Sequence, residues 1–404
     1  MVCTFKNKVV GHFMKTRIAA IEFGTSKIVT MIAENSGMDR LDIVGSGTVP
    51  YDGYSEGDWN TPRQMVQRVR DSIAAAELEA NSKIHEIYVG VPGEYIHVLS
   101  CEAQVDLPDG AVDETAVNAV LDQAADALNV VQSGCRVLHR SPAWFSVDDG
   151  KKTMSPSGRG STLRALVTFV VAEQMFIEDV SEMMGVLNVT ILGFLSTTMG
   201  EGMLLLPLED RDRAALLIDC GYLSTEISVV EGDALIWQKV LPVGGAHITL
   251  DLTYGLEKPF DMCEKIKRAY TFNAPKNTQI EVQGENGQME SFSGEQVSMI
   301  IDARVDEMLE MIDDAVKKSG IRLGNWSNVY FTGGGLMPMN GARVYAAGKL
   351  ARNVREAAAK TVKLKPAQIY ASGSGLLELV YNTIEQEEQD EGLFDRIKRV
   401  FKKR

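Results

Sequence analysis

The chain lacks the short patterns that announce several common chemistries. Its five cysteines (Cys3, Cys101, Cys135, Cys220, Cys263) contain no CxxC pair, and its five histidines no HExxH. That scatter excludes the usual thiolate and imidazole metal sites and fits reduced, mostly buried thiols in the cytosol. No Walker A pattern and no GxGxxG occurs, which removes P-loop and dinucleotide-fold readings. No apolar run reaches the ~18 residues that a transmembrane helix needs. Positive charge is scarce: 41 Lys and Arg against 55 Asp and Glu give a net charge of −14. This argues against nucleic acid as a partner, because a phosphate backbone requires a basic surface. The N-terminal MVCTFKNKVVGHFMKTR is basic but has no apolar core of a signal peptide. It reads as an extension, with Met14 a second candidate start.

What is present is the material of a large globular protein. At 404 residues the chain is too long for one ordinary core and suits two to four packed units. Strand-like and helix-like segments alternate. AAIEFGTSKIVTMI (19–32) reads as strand, tight turn, strand. TPRQMVQRVRDSIAAAELE (61–79) is an amphipathic helix with Thr61 as N-cap and Pro62 at N1. HEIYVGV (85–91) is a strand, 113–129 a helix capped by Asp113, and RALVTFVVA (164–172) a buried strand. The second half repeats the opening grammar, with strand, turn, strand, turn, strand over 214–243. Helices follow at 260–270 and 295–320, and a strand with a glycine loop and a helix start at 328–337. A final helix covers 368–386, and an acidic linker 385–391.

Three loops carry the chemistry. IEFGTSK (21–27) and IDCGYLSTE (218–226) are similar glycine-hydroxyl hairpins, and FTGGGLM (331–337) is a triple glycine after a strand. Such hairpins present backbone N–H groups to phosphate, and glycines allow close backbone approach. Each alone also reads as an ordinary turn; their order and spacing make the signal.

On these residues the chain resembles the FtsA family of the actin-like ATPase superfamily, over roughly residues 16–404. The resemblance includes AAAELEANSKIHEIYVGVPGEYI (74–96), VLHRSPAWFSVDD (137–149), PSGRGSTLRALVTFVV (156–171), LPVGGAHITLDLTYGL (241–256) and CEKIKRAY (263–270). It implies an α/β, actin-like fold of two lobes and four subdomains. The first large subdomain would be 15–84 with 174–210, and the FtsA-type insert 85–173. The second large subdomain would be 211–250 with 328–384, and the small one 251–327. It also implies ATP and Mg²⁺ as ligands. The nucleotide would be held by Glu22, Gly24, Thr25, Ser26, Lys27, Asp219, Gly221, Ser224, Thr225, Glu264, Lys267, Gly333, Gly334 and Gly335, with Mg²⁺ reached through water near Glu22 and Asp219 and no direct metal ligand. Glu22 and Glu226 stand where the family carries Asp, and Tyr222 and Leu223 where it carries Gly. A longer carboxylate displaces the metal water, and side chains at 222 and 223 limit backbone approach. The reading is therefore nucleotide binding with at most weak hydrolysis.

The last thirteen residues, GLFDRIKRVFKKR (392–404), hold six Lys or Arg and one Asp, so they carry +5 and the rest −19. Leu393, Phe394, Ile397, Val400 and Phe401 form one helical face. Arg396, Lys398, Arg399, Lys402, Lys403 and Arg404 supply the rest. That is the composition of a helix lying in an anionic membrane interface, at about 1 kcal/mol per basic residue. The tail makes the expected protein peripheral to the membrane. The resemblance to the FtsA family implies the cytoplasmic face at the division site as its place, and the FtsZ C-terminal peptide, other divisome proteins and copies of itself as its partners. Arg304 is the candidate contact for the peptide. Three other readings share these residues: a pilus-assembly-type actin homologue acting as a peptide-binding scaffold, an FtsA-derived protein whose nucleotide site is degenerate, and an FtsA-derived switch driven by ATP turnover.

Overall fold

A computed structural model describes residues 17–35, 41–55, 57–129, 135–275, 277–284, 287–324, 327–357 and 371–389 of the chain. The first strand, β1 (Arg17–Phe23), turns back into β2 (Lys27–Asn35) and then β3 (Leu41–Pro50). Helix α1 (Met65–Ala80) leads to β4 (Glu86–Val91). An inserted unit follows: β5 (Ile96–Asp106), α2 (Glu114–Ala127), β6 (Arg136–Val147) and β7 (Thr162–Ala172). Helix α3 (Gln174–Leu187), β8 (Thr190–Ser196) and α4 (Thr197–Leu205) return the chain to the first sheet and out of it.

The second half contains β9 (Ala215–Cys220), β10 (Thr225–Glu231) and β11 (Ala234–Leu241). Helices α5 (Gly245–Leu256) and α6 (Phe260–Ala269) precede a hairpin, β12 (Gln279–Gln283) and β13 (Met289–Ser293). The long helix α7 (Gly294–Lys318), β14 (Val329–Thr332), α8 (Ala342–Leu350), β15 (Val354–Glu356) and α9 (Ala371–Gln389) complete it.

The two large sheets have the same design. One runs β8-β4-β1-β2-β3 and the other β11-β10-β9-β14-β15. In each, an antiparallel three-strand meander is extended by two parallel strands beside its first strand. The first strands are buried along nearly their whole length, as expected for strands covered on both faces. One apolar core is built around the first sheet and takes in Ala215, Leu217, Val230, Leu235 and Tyr330 of the second; another is built around the second sheet and α7. The insert closes a third between α2 and its three-stranded sheet β5-β7-β6. Trp144 and Ala143 of the insert pack on Ala234 of β11, and Ser100 Oγ donates to Ile236 O at 3.0 Å. The insert is therefore seated on the edge of the second sheet.

Several local expectations are revised. Thr61 makes no side-chain cap; Pro62–Gln64 form a 3₁₀ turn, and α1 proper starts at Met65. After the triple glycine the chain makes turns, and α8 begins only at Ala342, beyond Pro338 and Gly341. The acidic segment read as a linker is helical through Gln389, because Glu and Gln are good helix formers. Asp113 caps α2 as expected, accepting from Ala116 N at 2.8 Å.

Candidate functional site

The sheet duplication produces two matching turns. In the first, Phe23 pairs with Ile28 and Gly24 N donates to Lys27 O at 3.0 Å. In the second, Cys220 pairs with Thr225 and Gly221 N donates to Ser224 O at 2.9 Å. Both are four-residue turns opened by glycine, and Glu22 and Asp219 occupy equivalent positions two residues before it. Aromatic packing backs the first turn: Phe23 lies against Trp59 and Phe176, with Tyr54 and Tyr95 beside them. Tyr51 Oη donates to Gly24 O at 2.6 Å. The second turn is stitched to its neighbours by backbone. Gly245 N donates to Gly221 O, Ala246 N to Tyr222 O, and Gly335 N to Cys220 O, all at 2.8–2.9 Å.

Between the turns lies a cavity of about 410 Å³, within the range of small-molecule sites. Of the residues expected to hold nucleotide, all but Thr225 line it. Thr225 is buried in β10, where its hydroxyl donates to Val243 O at 2.7 Å. Two of the three glycines are required by packing. At Gly333, with φ +93°, a Cβ would stand 2.1 Å from Asp219 Oδ1, and at Gly335 one would stand 2.1 Å from Gly221 O. At these two positions the loop is pressed against the second turn, and no side chain fits.

The cavity has two chemically distinct ends. At one, Glu22, Glu201, Asp219 and Glu226 approach one another beside Lys27. Burial raises the Glu22 carboxyl, although Ser372 and Lys27 oppose the shift. Asp219 is pushed up to about 7 by burial and then by Glu22. Glu226 is also pushed up to about 7, chiefly by burial, and Glu201 is raised by burial and its three acidic neighbours. Burial lowers Lys27, partly offset by Glu22 and Asp219. Glu22 Oε2 and Asp219 Oδ1 are buried without a hydrogen-bond partner. These orphaned oxygens suit a hydrated cation carried in with phosphate, so the residues fit Mg²⁺-nucleotide.

At the other end, Lys267 is buried and donates to Gly245 O at 2.9 Å while pairing with Glu264 at 2.7 Å. Glu264 also accepts from Thr249 and Arg268. Burial lowers Lys267, and Glu264 counteracts it.

The altered residues are engaged across the cleft. Glu22 Oε1 accepts from Ser372 Oγ at the start of α9. Glu226 Oε1 accepts from Thr198 Oγ1 of α4, and Gln238 donates to Gly93 O at 2.8 Å. Leu223 N donates to Thr25 Oγ1 at 3.1 Å, so the turns touch directly. Glu201, Ser372, Thr197, Phe260 and Gly93 also line the site, and sequence reading did not single them out. No local motif marks them; they arrive on α4, α9, α6 and a turn far along the chain.

Arg304 lies elsewhere, on α7. Its guanidinium grips Asp251 with two donors and also pairs with Glu307, so it is a partly exposed cation already engaged by carboxylates. Residues 392–404, read as the membrane helix, lie outside the described residues.

The comparisons with known proteins report similarity of sequence and fold. The family model for "Cell division protein FtsA" matches residues 216–383. The FtsA of Pseudomonas aeruginosa is 25% identical over 371 residues, covering 89% of this chain and 88% of that one. The FtsA of Bacillus subtilis is 26% identical over 368 residues, covering 89% and 82%. The chain is thus similar to FtsA, at low identity, over most of its length. Solved structures show the actin-like fold. A PilM-PilN type IV pilus biogenesis complex aligns with TM-score 0.62 at 15% identity, over 91% of this chain and 99% of that one. MreB5 of Spiroplasma citri bound to ADP aligns with TM-score 0.51 at 10% identity, over 93% and 98%. The stretch matched by the family model includes the second turn, the glycine loop and α6, which supply about half of the residues lining the cavity.

Proposed function

We propose that this FtsA relative binds ATP with Mg²⁺ in the cavity, self-associates, and tethers FtsZ to the cytoplasmic face of the membrane at the division site. One observation carries the nucleotide reading: two matched turns, a packed glycine loop and the Glu264–Lys267 pair converge on one cavity with orphaned carboxylate oxygens. Bound Mg²⁺ would neutralise phosphate charge beside Glu22 and Asp219. Thr25, Ser26 and Lys27 would face the phosphates. Glu22 and Glu226 are each one methylene longer than Asp, which displaces the water between carboxylate and metal, so turnover stays near background. An acidic FtsZ peptide docking at Arg304 would compete with Asp251 for the guanidinium.

The membrane reading rests on the residue pattern of 392–404. Its test is sedimentation with anionic vesicles, with and without ATP and Mg²⁺, comparing the full chain with one ending at Glu391. Pelleting of the full chain alone supports the tether, and a nucleotide effect supports the cavity. If both chains stay in solution, the membrane reading fails. A second reading, a pilus-assembly-type peptide scaffold, is favoured by the long alignment with the PilM-PilN complex. Pull-downs against the FtsZ C-terminal peptide and a pilus partner peptide separate the two.

A further inference from the structure

Tyr222 follows the glycine that opens the second turn, at the position where the matching first turn carries Thr25. Its backbone is fixed, because its carbonyl accepts from Ala246 N at 2.8 Å and Gly221 beside it accepts from Gly245 N. Its half-buried side chain lines the cavity and lies in the field of Glu264 and Asp261, on the first turns of α6. Lys267 donates to the carbonyl of Gly245, beside the Ala246 that fixes Tyr222, so Tyr222 sits toward the Glu264–Lys267 end, away from the clustered carboxylates. Phe260, which opens α6 beside Asp261, lines the same cavity, as do Glu264 and Arg268 on the following turns. The acidic end repels bare phosphates, whereas the other end combines two aromatic rings with a guanidinium. Flat π-systems stack on aromatic rings, and Arg adds to such contacts.

We infer that Tyr222, with Phe260, forms an aromatic seat for the base of a nucleoside or nucleotide, so that this chain draws its affinity from the nucleoside more than from the phosphates. The inference rests on the nucleotide reading of the cavity and deepens it. It predicts that adenosine, ADP and ATP with Mg²⁺ bind with affinities within about tenfold of one another. Tyr222 then contributes to all three, rather than obstructing the phosphates.

The experiment is calorimetric titration of the full chain with each of the three ligands, in the unsubstituted protein and in Y222F, Y222L and Y222G. Tyr222→Phe keeps the ring, and Tyr222→Leu keeps apolar bulk without it. The expected result is wild-type affinity in Y222F and a loss of about tenfold or more for every ligand in Y222L and Y222G, the scale of one stacked base. Tighter ATP binding in Y222G, or equal affinities in Y222F and Y222L, overturns the seat and leaves the nucleotide reading standing. If no ligand binds the unsubstituted protein at millimolar concentration, the nucleotide reading itself fails and the seat with it.

Discussion

Helices α4 and α9 cross at two glycines, and the crossing sets the wall of the cavity. A Cβ built on Gly375 would lie 2.4 Å from Gly200 C and 2.6 Å from both Gly200 O and Glu201 N. Ordinary contact begins near 3.4 Å, so Gly375→Ala must drive the helices apart by roughly 1 Å. The obstructing atoms are backbone and cannot swing aside. Overpacking in a tight core costs about 1–3 kcal/mol, and this clash lies toward the upper end. Alanine returns about 1 kcal/mol through its helix propensity, leaving a net loss of about 2 kcal/mol. Gly348→Ala on α8 is the control: nothing lies within 4 Å of a Cβ there, so the same substitution should stabilise by up to about 1 kcal/mol. Denaturant unfolding monitored by circular dichroism measures both. Because Glu201 N is one of the clashing atoms, Gly375→Ala should also shift Glu201 and weaken nucleotide binding. If Gly375→Ala is neutral, or stabilises as Gly348→Ala does, the close-packed crossing is refuted.

Two predictions concern pH and one concerns ion pairing. Glu226 has its pKa raised to about 7, so the native state holds a proton that the unfolded state, near 4.5, has released. Its contribution is complete below about 4.5 and lost as pH rises through 7; Glu226→Gln should flatten that decline in a pH series of unfolding midpoints. His139 has its pKa lowered to about 4 by burial and accepts from Ser196 N at 2.9 Å. Here the unfolded state, near 6.5, takes the proton first, so stability falls as pH drops from about 6.5 to 4, by at most about 3 kcal/mol. His139→Gln should remove that acid-side loss, and an unchanged profile would show that the imidazole does not act there. Asp251→Asn weakens the competitor for Arg304 and should tighten binding of an acidic FtsZ peptide by fluorescence anisotropy. Weaker binding in that variant would place the peptide elsewhere.

Much of this protein was legible because its information is local. Alternating small and apolar residues around GTSK and GYLS marked two hairpins, and their likeness suggested the duplication that the two sheets display. Asp113 and the apolar stripe of 113–129 marked α2, since caps and periodicity act within a few residues. Tertiary structure decided the rest. Ser372 reaches Glu22 from 350 residues along the chain. Thr198 occupies Glu226, and Asp251 takes up the Arg304 that sequence alone left available. Thr225 and Ser224 are neighbours in one motif, yet only Ser224 lines the cavity, because the pleat of β10 turns Thr225 into the core. A side chain's chemistry is written at its own position. Which partner desolvates it, bonds it or leaves it orphaned depends on how distant elements pack, and no spacing rule records that.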